Sequence, residues 1–286
     1  MMEIAHFFWH GPPLSIYEKA CIASFVRHGF DVKLWCYAPV DAPKGAALCD
    51  AREILPEDDT GKFNQDGRQG EIRAFANSFR YHLLKERDGW WFDTDLLCLA
   101  DSGKFAGLRR EKPIVCGFEN KTTINNAVLS VADKSIADAF LSELAQSAET
   151  GPWGYIGPQL VTRVLKKFDL LHIAEQPNVF YPIHWTGFDI VFLQVESERA
   201  ARLCDGALTY HIWNEYMNRL AVPKNMRPPE GSYLGARFLE NLPECAALPA
   251  LPAETLTALI SGYNLRARTE EFIRKVRTTN ARPHIA

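Results

Sequence analysis

A chain of 286 residues can hold one large α/β domain or two small ones, and its 47% hydrophobic and 23% charged residues are ordinary globular usage with ample material for a core. The net charge of −3 argues against non-specific nucleic-acid binding as the main activity. Cys21, Cys36, Cys49, Cys98, Cys116, Cys204 and Cys245 form no C-x-x-C pair and are odd in number, which suits reduced core thiols rather than a disulfide framework.

The first residues lack a basic segment followed by a long apolar one, and no apolar run approaches the roughly 18 residues of a spanning helix. The expectation is a soluble, cytoplasmic protein. Ile4–Trp9 reads as the first strand, closed by His10-Gly11-Pro12-Pro13. Helical spacing of Ile16, Ala20, Ala23 and Phe25 predicts a helix from Ser15 to His28, with Gly29 as its C-terminal glycine. Val32–Tyr37 is a second strand, so the chain opens on a βαβ unit and a parallel, doubly wound sheet leads. Trp9 and His10 then face the crevice at the strand ends, although a lone Trp is more often core.

Pro43, Pro56, Gly61, Gly67, Gly70 and the acidic Glu57-Asp58-Asp59 mark residues 41–70 as loop-rich. Ile72, Phe75, Phe79 and Leu83 predict a helix from Glu71 to Arg87, with Arg73, Asn77 and Arg80 at the same steps on another face. Next comes Gly89-Trp90-Trp91-Phe92-Asp93-Thr94-Asp95-Leu96-Leu97-Cys98-Leu99, an apolar run read as one buried strand interrupted by two carboxylates. Burying Asp93 and Asp95 unpaired would cost several kcal/mol, which places them where the strand leaves the sheet. Open α/β sheets bind ligands at that end. Two hard oxygen ligands there suit Mg²⁺ or Mn²⁺ together with substrate phosphate. The plainer reading of Asp-X-Asp is a turn or helix-cap pair.

Pro113–Glu119 and Thr123–Ser130 read as further strands, the second entered by the amides Asn125 and Asn126. Helices are expected from about Ser135 to Gln146 and from Gln159 to Lys167, the latter fed by the glycine- and proline-rich loop Gly151–Pro158. Val179–Pro182 and Ala207–Asn214 follow. Pro223, Pro228, Pro229, Gly231, Ser232 and Gly235 suggest a lid or tail over the site, and more helices are expected beyond Pro252. Arg266, Arg268, Arg274, Lys275, Arg277 and Arg282 make the end cationic, either a solvated helix or a contact with anionic lipid.

Arg80-Tyr81-His82-Leu83-Leu84, Asp88 to Asp95, Asn125 to Leu129, Gly157 to Val164 and Tyr210 to Asn214 resemble, in that order, the motifs of the GT-A-fold glycosyltransferases with a DXD motif. That group includes bacterial polysaccharide and glycolipid transferases, α-1,4-galactosyltransferases and, more distantly, clostridial glucosylating toxins. The resemblance implies a GT-A-like catalytic domain over residues 1–240 and a helical C-terminal extension, 241–286, packed on it. It implies transfer of a hexose from a nucleotide sugar, most plausibly a UDP-sugar, with retention, to a glycan, glycolipid or lipopolysaccharide. The implied location is cytoplasmic and peripheral to the inner membrane face, with membrane contact through the basic end and no nucleic-acid partner.

By the same resemblance Mn²⁺ or Mg²⁺ sits at Asp93 and Asp95, and His211 as a third ligand favours Mn²⁺. Trp9 and His10 flank the base. Asn77, Arg80, Asn125 and Asn126 hold the donor sugar, together with Trp213, Asn214 and Ser232, and Gln159 lies near the reacting face. Relatives usually carry an Asp three residues before the helix Arg, where this chain has Asn77, so the donor sugar is left open. The rivals are an inactive nucleotide-sugar-binding protein, a membrane scaffold, and an Asp-X-Asp phosphatase, disfavoured because its pair normally follows the first strand.

Overall fold

The structure is a computed structural model that describes residues 2–65, 68–69, 72–147, 150–151 and 154–280. In chain order the first elements are β1 (Ile4–Trp9), α1 (Ile16–Arg27), β2 (Asp31–Cys36), β3 (Ala46–Asp50) and the two-residue strands β4 (Asn64–Gln65) and β5 (Arg68–Gln69). Then come α2 (Ile72–Glu86), β6 (Trp90–Phe92), β7 (Leu96–Cys98), α3 (Ser102–Arg109), β8 (Ile114–Phe118), β9 (Ile124–Val131) and α4 (Lys134–Gln146). The rest is β10 (Thr150–Gly151), α5 (Pro158–Lys167), α6 (Pro177–Phe180), α7 (Ser197–Cys204), β11 (Thr209–His211), α8 (Asn214–Leu220), α9 (Tyr233–Asn241) and α10 (Ala253–Asn280).

Six strands form the central sheet in the order β3-β2-β1-β6-β9-β8. β3, β2, β1 and β6 are parallel, and β9 alone runs against its neighbours. The mostly parallel sheet with helices on both faces is therefore present as expected. Alternation along the strands sorts the core into two layers. Phe7, Leu34, Trp90 and Phe92 join α1 and the C-terminal elements on one face. Phe8, Trp35, Trp91 and Leu129 meet α2, α4 and α5 on the other.

α1 starts where its sequence dictates. Ser15 accepts from the Tyr17 amide while Glu18 accepts from the Ser15 amide, a reciprocal cap worth about 1 kcal/mol. Gly29 follows with φ +80°, a conformation that favours glycine. Gly89, between α2 and β6, has φ +129°, and a Cβ there would lie 2.8 Å from the Ile4 carbonyl oxygen. Only glycine lets β6 approach β1 this closely.

Four expectations need correction. The apolar run around the Asp pair is two strands: β6 ends at Phe92, the chain turns through Asp93-Thr94-Asp95, and β7 pairs antiparallel with β11 in a separate sheet. The loop-rich 41–70 stretch contains edge strand β3, paired parallel with β2. The segment read as a lid leads into α9, whose Phe238 meets Tyr17 of α1 edge-on at 4.9 Å and is fully buried. Its apolar face belongs to the core, so it is no lid.

Among the described residues beyond Pro252 there is one helix, α10, rather than several; Leu256 is buried and Leu259, Ile260 and Tyr263 pack on the same core. Among the described residues no helix is long and apolar enough to cross a membrane. All seven cysteines are free, and six are buried. Gly67, Gly70, Pro152, Trp153 and Arg282 lie outside the described residues, as do the side chains of Arg274, Lys275 and Arg277.

Candidate active site

The turn after β6 sets Asp93 and Asp95 at the carboxyl end of the parallel strands. Side chains alternate along β6, so Asp93 falls on the same side as Trp91 and faces α2. The Trp91 indole N–H donates to Asp93 Oδ1 at 2.6 Å, and Arg80 Nη2 donates to the same oxygen at 2.5 Å. The Arg80 guanidinium lies 4.7 Å from the Trp91 ring centroid, and its Nη1 donates to Asn77 Oδ1 at 3.0 Å. One buried Arg thus joins carboxylate, indole and amide.

Asp95 is held from the other side by β11 and the turn after it. His211 Nε2 lies 3.1 Å from Asp95 Oδ1, and the Asn214 backbone N–H donates to Oδ2 at 2.8 Å. That amide is aimed by Trp213, which adopts φ +62°, a left-handed conformation uncommon outside glycine and costly by roughly 1 kcal/mol or more. The Asn214 side chain turns away and donates to Glu18 Oε1 at 3.2 Å, where Lys224 Nζ also arrives at 3.2 Å. Asp95 is therefore not a dangling strand-end carboxylate.

Burial works against charge on both Asp95 and His211, but their mutual attraction prevails. The His211 imidazole is held above its usual pKa by Asp95, with Asp93 and Glu119 adding to it, and the Asp95 carboxyl is held below its own by His211 and the Asn214 amide. His211 Nδ1 is buried with no partner.

One ligand atom each from Asp93, Asp95 and His211 lie within 4.8 Å of one another. Ligand atoms at about 2.1 Å from one cation stand about 3.0 Å apart when adjacent and about 4.2 Å when opposite, so modest side-chain shifts would let these three share one ion. Two carboxylate oxygens and an imidazole nitrogen suit Mn²⁺ better than Mg²⁺, which prefers oxygen and water. The donor set fits.

Asn77 Oδ1 also accepts from Asn126 Nδ2 at 2.7 Å. Gly157 closes over this amide pair; a Cβ there would lie 3.1 Å from Asn77 Nδ2 and 3.4 Å from Asn126 Nδ2. Tyr81 ties the same corner together by donating to the Ile156 carbonyl at 2.9 Å. Asn125, one residue along β9, points the opposite way and donates to Glu119 Oε2 at 3.0 Å. Gln159 is exposed on the first turn of α5, after the Gly154–Gly157 turn.

The half-buried Trp9 donates from its indole to the Pro12 carbonyl at 2.7 Å. His10 is exposed, edge-on to Tyr37 and 3.9 Å from Glu57. Trp213 packs 4.1 Å from the His211 ring and donates to the Ile183 carbonyl at 3.0 Å. Ser232 is fully buried, and its hydroxyl is engaged in capping α9 and in a bond to the Pro229 carbonyl. It has no hydroxyl left to offer a ligand.

Sequence reading passed over Tyr81, Glu18, Glu119 and Gly157. The Ser15-x-x-Glu18 spacing was the one local signal for Glu18, and as a helix cap rather than as support for Asn214. A cavity of about 250 Å³ lined by Glu3, Ala106, Arg109, Arg110 and Ala132 lies at the amino end of β1, remote from these groups. Its Arg109 is already paired with Glu3 and Asp88.

Residues 130–229 match the family described as "Alpha 1,4-glycosyltransferase conserved region". That stretch takes in Gln159, His211, Trp213 and Asn214 and leaves the Asp pair upstream. Over that stretch the chain is similar to the alpha-1,4-glycosyltransferases. It is 26% identical over 156 residues to lactosylceramide 4-alpha-galactosyltransferase of Rattus norvegicus, covering 50% of this chain and 41% of that protein. The Homo sapiens protein of the same name is also 26% identical over 156 residues, with 50% and 42% covered. The match thus spans about two fifths of these relatives' length.

Among solved structures, the WbbM bifunctional glycosyltransferase aligns over 87% of this chain and 50% of that one, at 10% identity and a TM-score of 0.48. The glycosyltransferase GlyE of Streptococcus pneumoniae TIGR4 aligns over 92% and 64%, at 14% identity and 0.45. Likenesses of that size bear on nothing in this chain's chemistry. The glycosyltransferase resemblance seen in the motifs is upheld by the family match and the curated relatives.

Proposed function

We propose that the chain is a retaining glycosyltransferase that moves a hexose from a nucleotide sugar, a UDP-sugar favoured, to a glycan or glycolipid, with a divalent cation at Asp93, Asp95 and His211. The reading rests above all on the convergence of those three side chains at the carboxyl end of a mostly parallel sheet. The family match supports glycosyl transfer, and the relatives' printed name supports a glycolipid acceptor.

A bound cation would supply Lewis-acid neutralisation of charge on the departing diphosphate. The protein's own part is to have the ligands fixed in advance. Asp93 is clamped by Arg80 and Trp91, and Asp95 by His211 and the Asn214 amide, so little reorganisation accompanies reaction. Asn77 and Asn126, locked together beside Gly157, offer amides to the donor hexose, and their lack of charge suits a neutral sugar. Trp9 flanks the base, and exposed Gln159 stands at the head of α5 toward the reacting face.

Hydrolysis by opposed carboxylates is unsupported, because Asp93 and Asp95 sit on one turn and cannot flank a glycosidic bond. The second reading, binding without turnover, is decided by experiment. Purified protein with Mn²⁺ is offered UDP-, GDP- and dTDP-hexoses, and nucleotide release and glycoside formation are followed. One donor should turn over, and Asp95→Ala should slow release by about a thousandfold or more. Absence of release and transfer with every donor leaves the binding-only reading.

A further inference from the structure

We infer that His184, Trp185, Tyr216 and Glu119 form a subsite for a neutral hexopyranose, the sugar that receives the transferred hexose. The inference rests on the glycosyltransferase reading and names the acceptor side of that same site. Trp185 opens a short 3₁₀ stretch, Trp185–Phe192, capped by His184. It is 39% exposed, whereas Trp35, Trp90, Trp91 and Trp213 are buried. Its ring lies 5.2 Å from that of His184 and 5.7 Å from that of Tyr216.

This shelf is continuous with the candidate metal ligands. The His184 ring is 6.1 Å from Trp213, the Trp213 ring is 4.1 Å from His211, and His211 is 3.1 Å from Asp95. The shelf is also firmly held. Phe188, three residues beyond Trp185, is buried against Phe192 and Tyr216, and the Trp213 indole is bonded to the Ile183 carbonyl. An exposed indole kept rigid next to a reaction site can bind at little entropic cost.

The chemistry points to a sugar ring. An aromatic face is electron-rich and attracts the weakly positive C–H groups on one face of a pyranose, while hydroxyls at the ring edge need polar partners. Glu119 provides them. Its Oε2 is held by Asn125 Nδ2 at 3.0 Å, and its Oε1 stands 3.8 Å from His184 Nε2. A carboxylate fixed in this way accepts hydroxyl protons and repels acidic sugars. Asn125 thereby gains a role on the acceptor side, away from Asn77 and Asn126.

The test is saturation-transfer NMR with the full chain, diamagnetic Mg²⁺ and UDP, using methyl β-galactoside, methyl β-glucoside and lactose as probes and N-acetylneuraminic acid as the anionic control. At least one neutral sugar should receive saturation on one ring face. Trp185→Ala should abolish the signal, Trp185→Phe should keep it, and Glu119→Gln should weaken binding by about tenfold. Both Trp185 variants should retain the wild-type thermal midpoint and its shift with UDP and Mn²⁺. The inference is overturned if no neutral sugar receives saturation, if the signal survives Trp185→Ala, or if N-acetylneuraminic acid binds best. Failure of wild-type protein to bind UDP with Mn²⁺ would count against the glycosyltransferase reading instead, and the sugar titration repeated without nucleotide still judges the shelf.

Discussion

Arg80→Met removes the one side chain that joins Asp93, Asn77 and Trp91, and its cost can be worked from the contacts. The guanidinium is 4% exposed and Asp93 31%. The bond to the carboxylate contributes about 1.5–3 kcal/mol and the bond to Asn77 about 1. Its position over the indole adds roughly 0.5–2 kcal/mol. Two effects offset this: Met buries no charge, and the partly exposed Asp93 regains water while keeping its bond from Trp91. The net loss is about 2–3 kcal/mol, or about 3–5 °C in a chain of this size. Arg80→Lys keeps the charge but cannot fork to both partners, and should lose about 1 kcal/mol. Thermal unfolding followed by circular dichroism in the presence of a chelator measures both. A Met variant melting within about 2 °C of wild type, or a Lys variant as damaged as Met, would refute the reasoning.

Two further outcomes follow from the site. In Gly157→Ala the added Cβ must push Asn77 and Asn126 by a few tenths of an ångström. The expected cost is about 1–2 kcal/mol, with a larger proportional loss in kcat/KM for donor than in stability; unchanged kinetics would remove the amide pair from the donor site. The His211–Asp95 pair also sets a pH dependence. His211 has a raised folded pKa, so its contribution is complete below about 6.5 and disappears as pH rises through the raised value. Asp95 has a lowered one, so its contribution is present above about 4 and disappears as pH falls through the lowered value. Because a cation must displace the His211 proton, the thermal shift caused by Mn²⁺ should grow from about pH 6 to about pH 8; a shift flat across that range would exclude His211 as a ligand.

Much of the frame could be read from local pattern. β1 has the expected bounds, and α1 is a residue shorter than expected at each end. α4 and α5 each start a residue earlier and end as expected, and α2 ends a residue early, its expected first residue Glu71 lying outside the described residues. Apolar spacing and caps are local, so they survive in one sequence. β3 escaped because Ala46-Ala47-Leu48-Cys49-Asp50 is a half-exposed edge strand without alternation, set among prolines and glycines. The run around the Asp pair looked like one strand because both halves are apolar. What divides it is the pairing of β7 with β11, more than a hundred residues away. The same holds at the site. Asp93, Asp95 and His211 were found as residue types, but the Trp213 turn that aims the Asn214 amide at Asp95 is a tertiary feature. So is the Gln159-bearing turn that brings Gly157 onto Asn77. Ser232, expected at the donor sugar, instead caps α9, the role that Ser before an apolar helix signals.

The central claim is that Asp93, Asp95 and His211 hold one divalent cation that a nucleoside diphosphate shares. Electron paramagnetic resonance of Mn²⁺ titrated into the protein, with and without UDP, tests it directly. Wild-type protein should take up one Mn²⁺, more tightly with UDP than without, and Asp95→Asn and His211→Ala should each weaken uptake by about tenfold or more. Stoichiometric uptake that UDP does not tighten, or that survives both substitutions, would contradict the account.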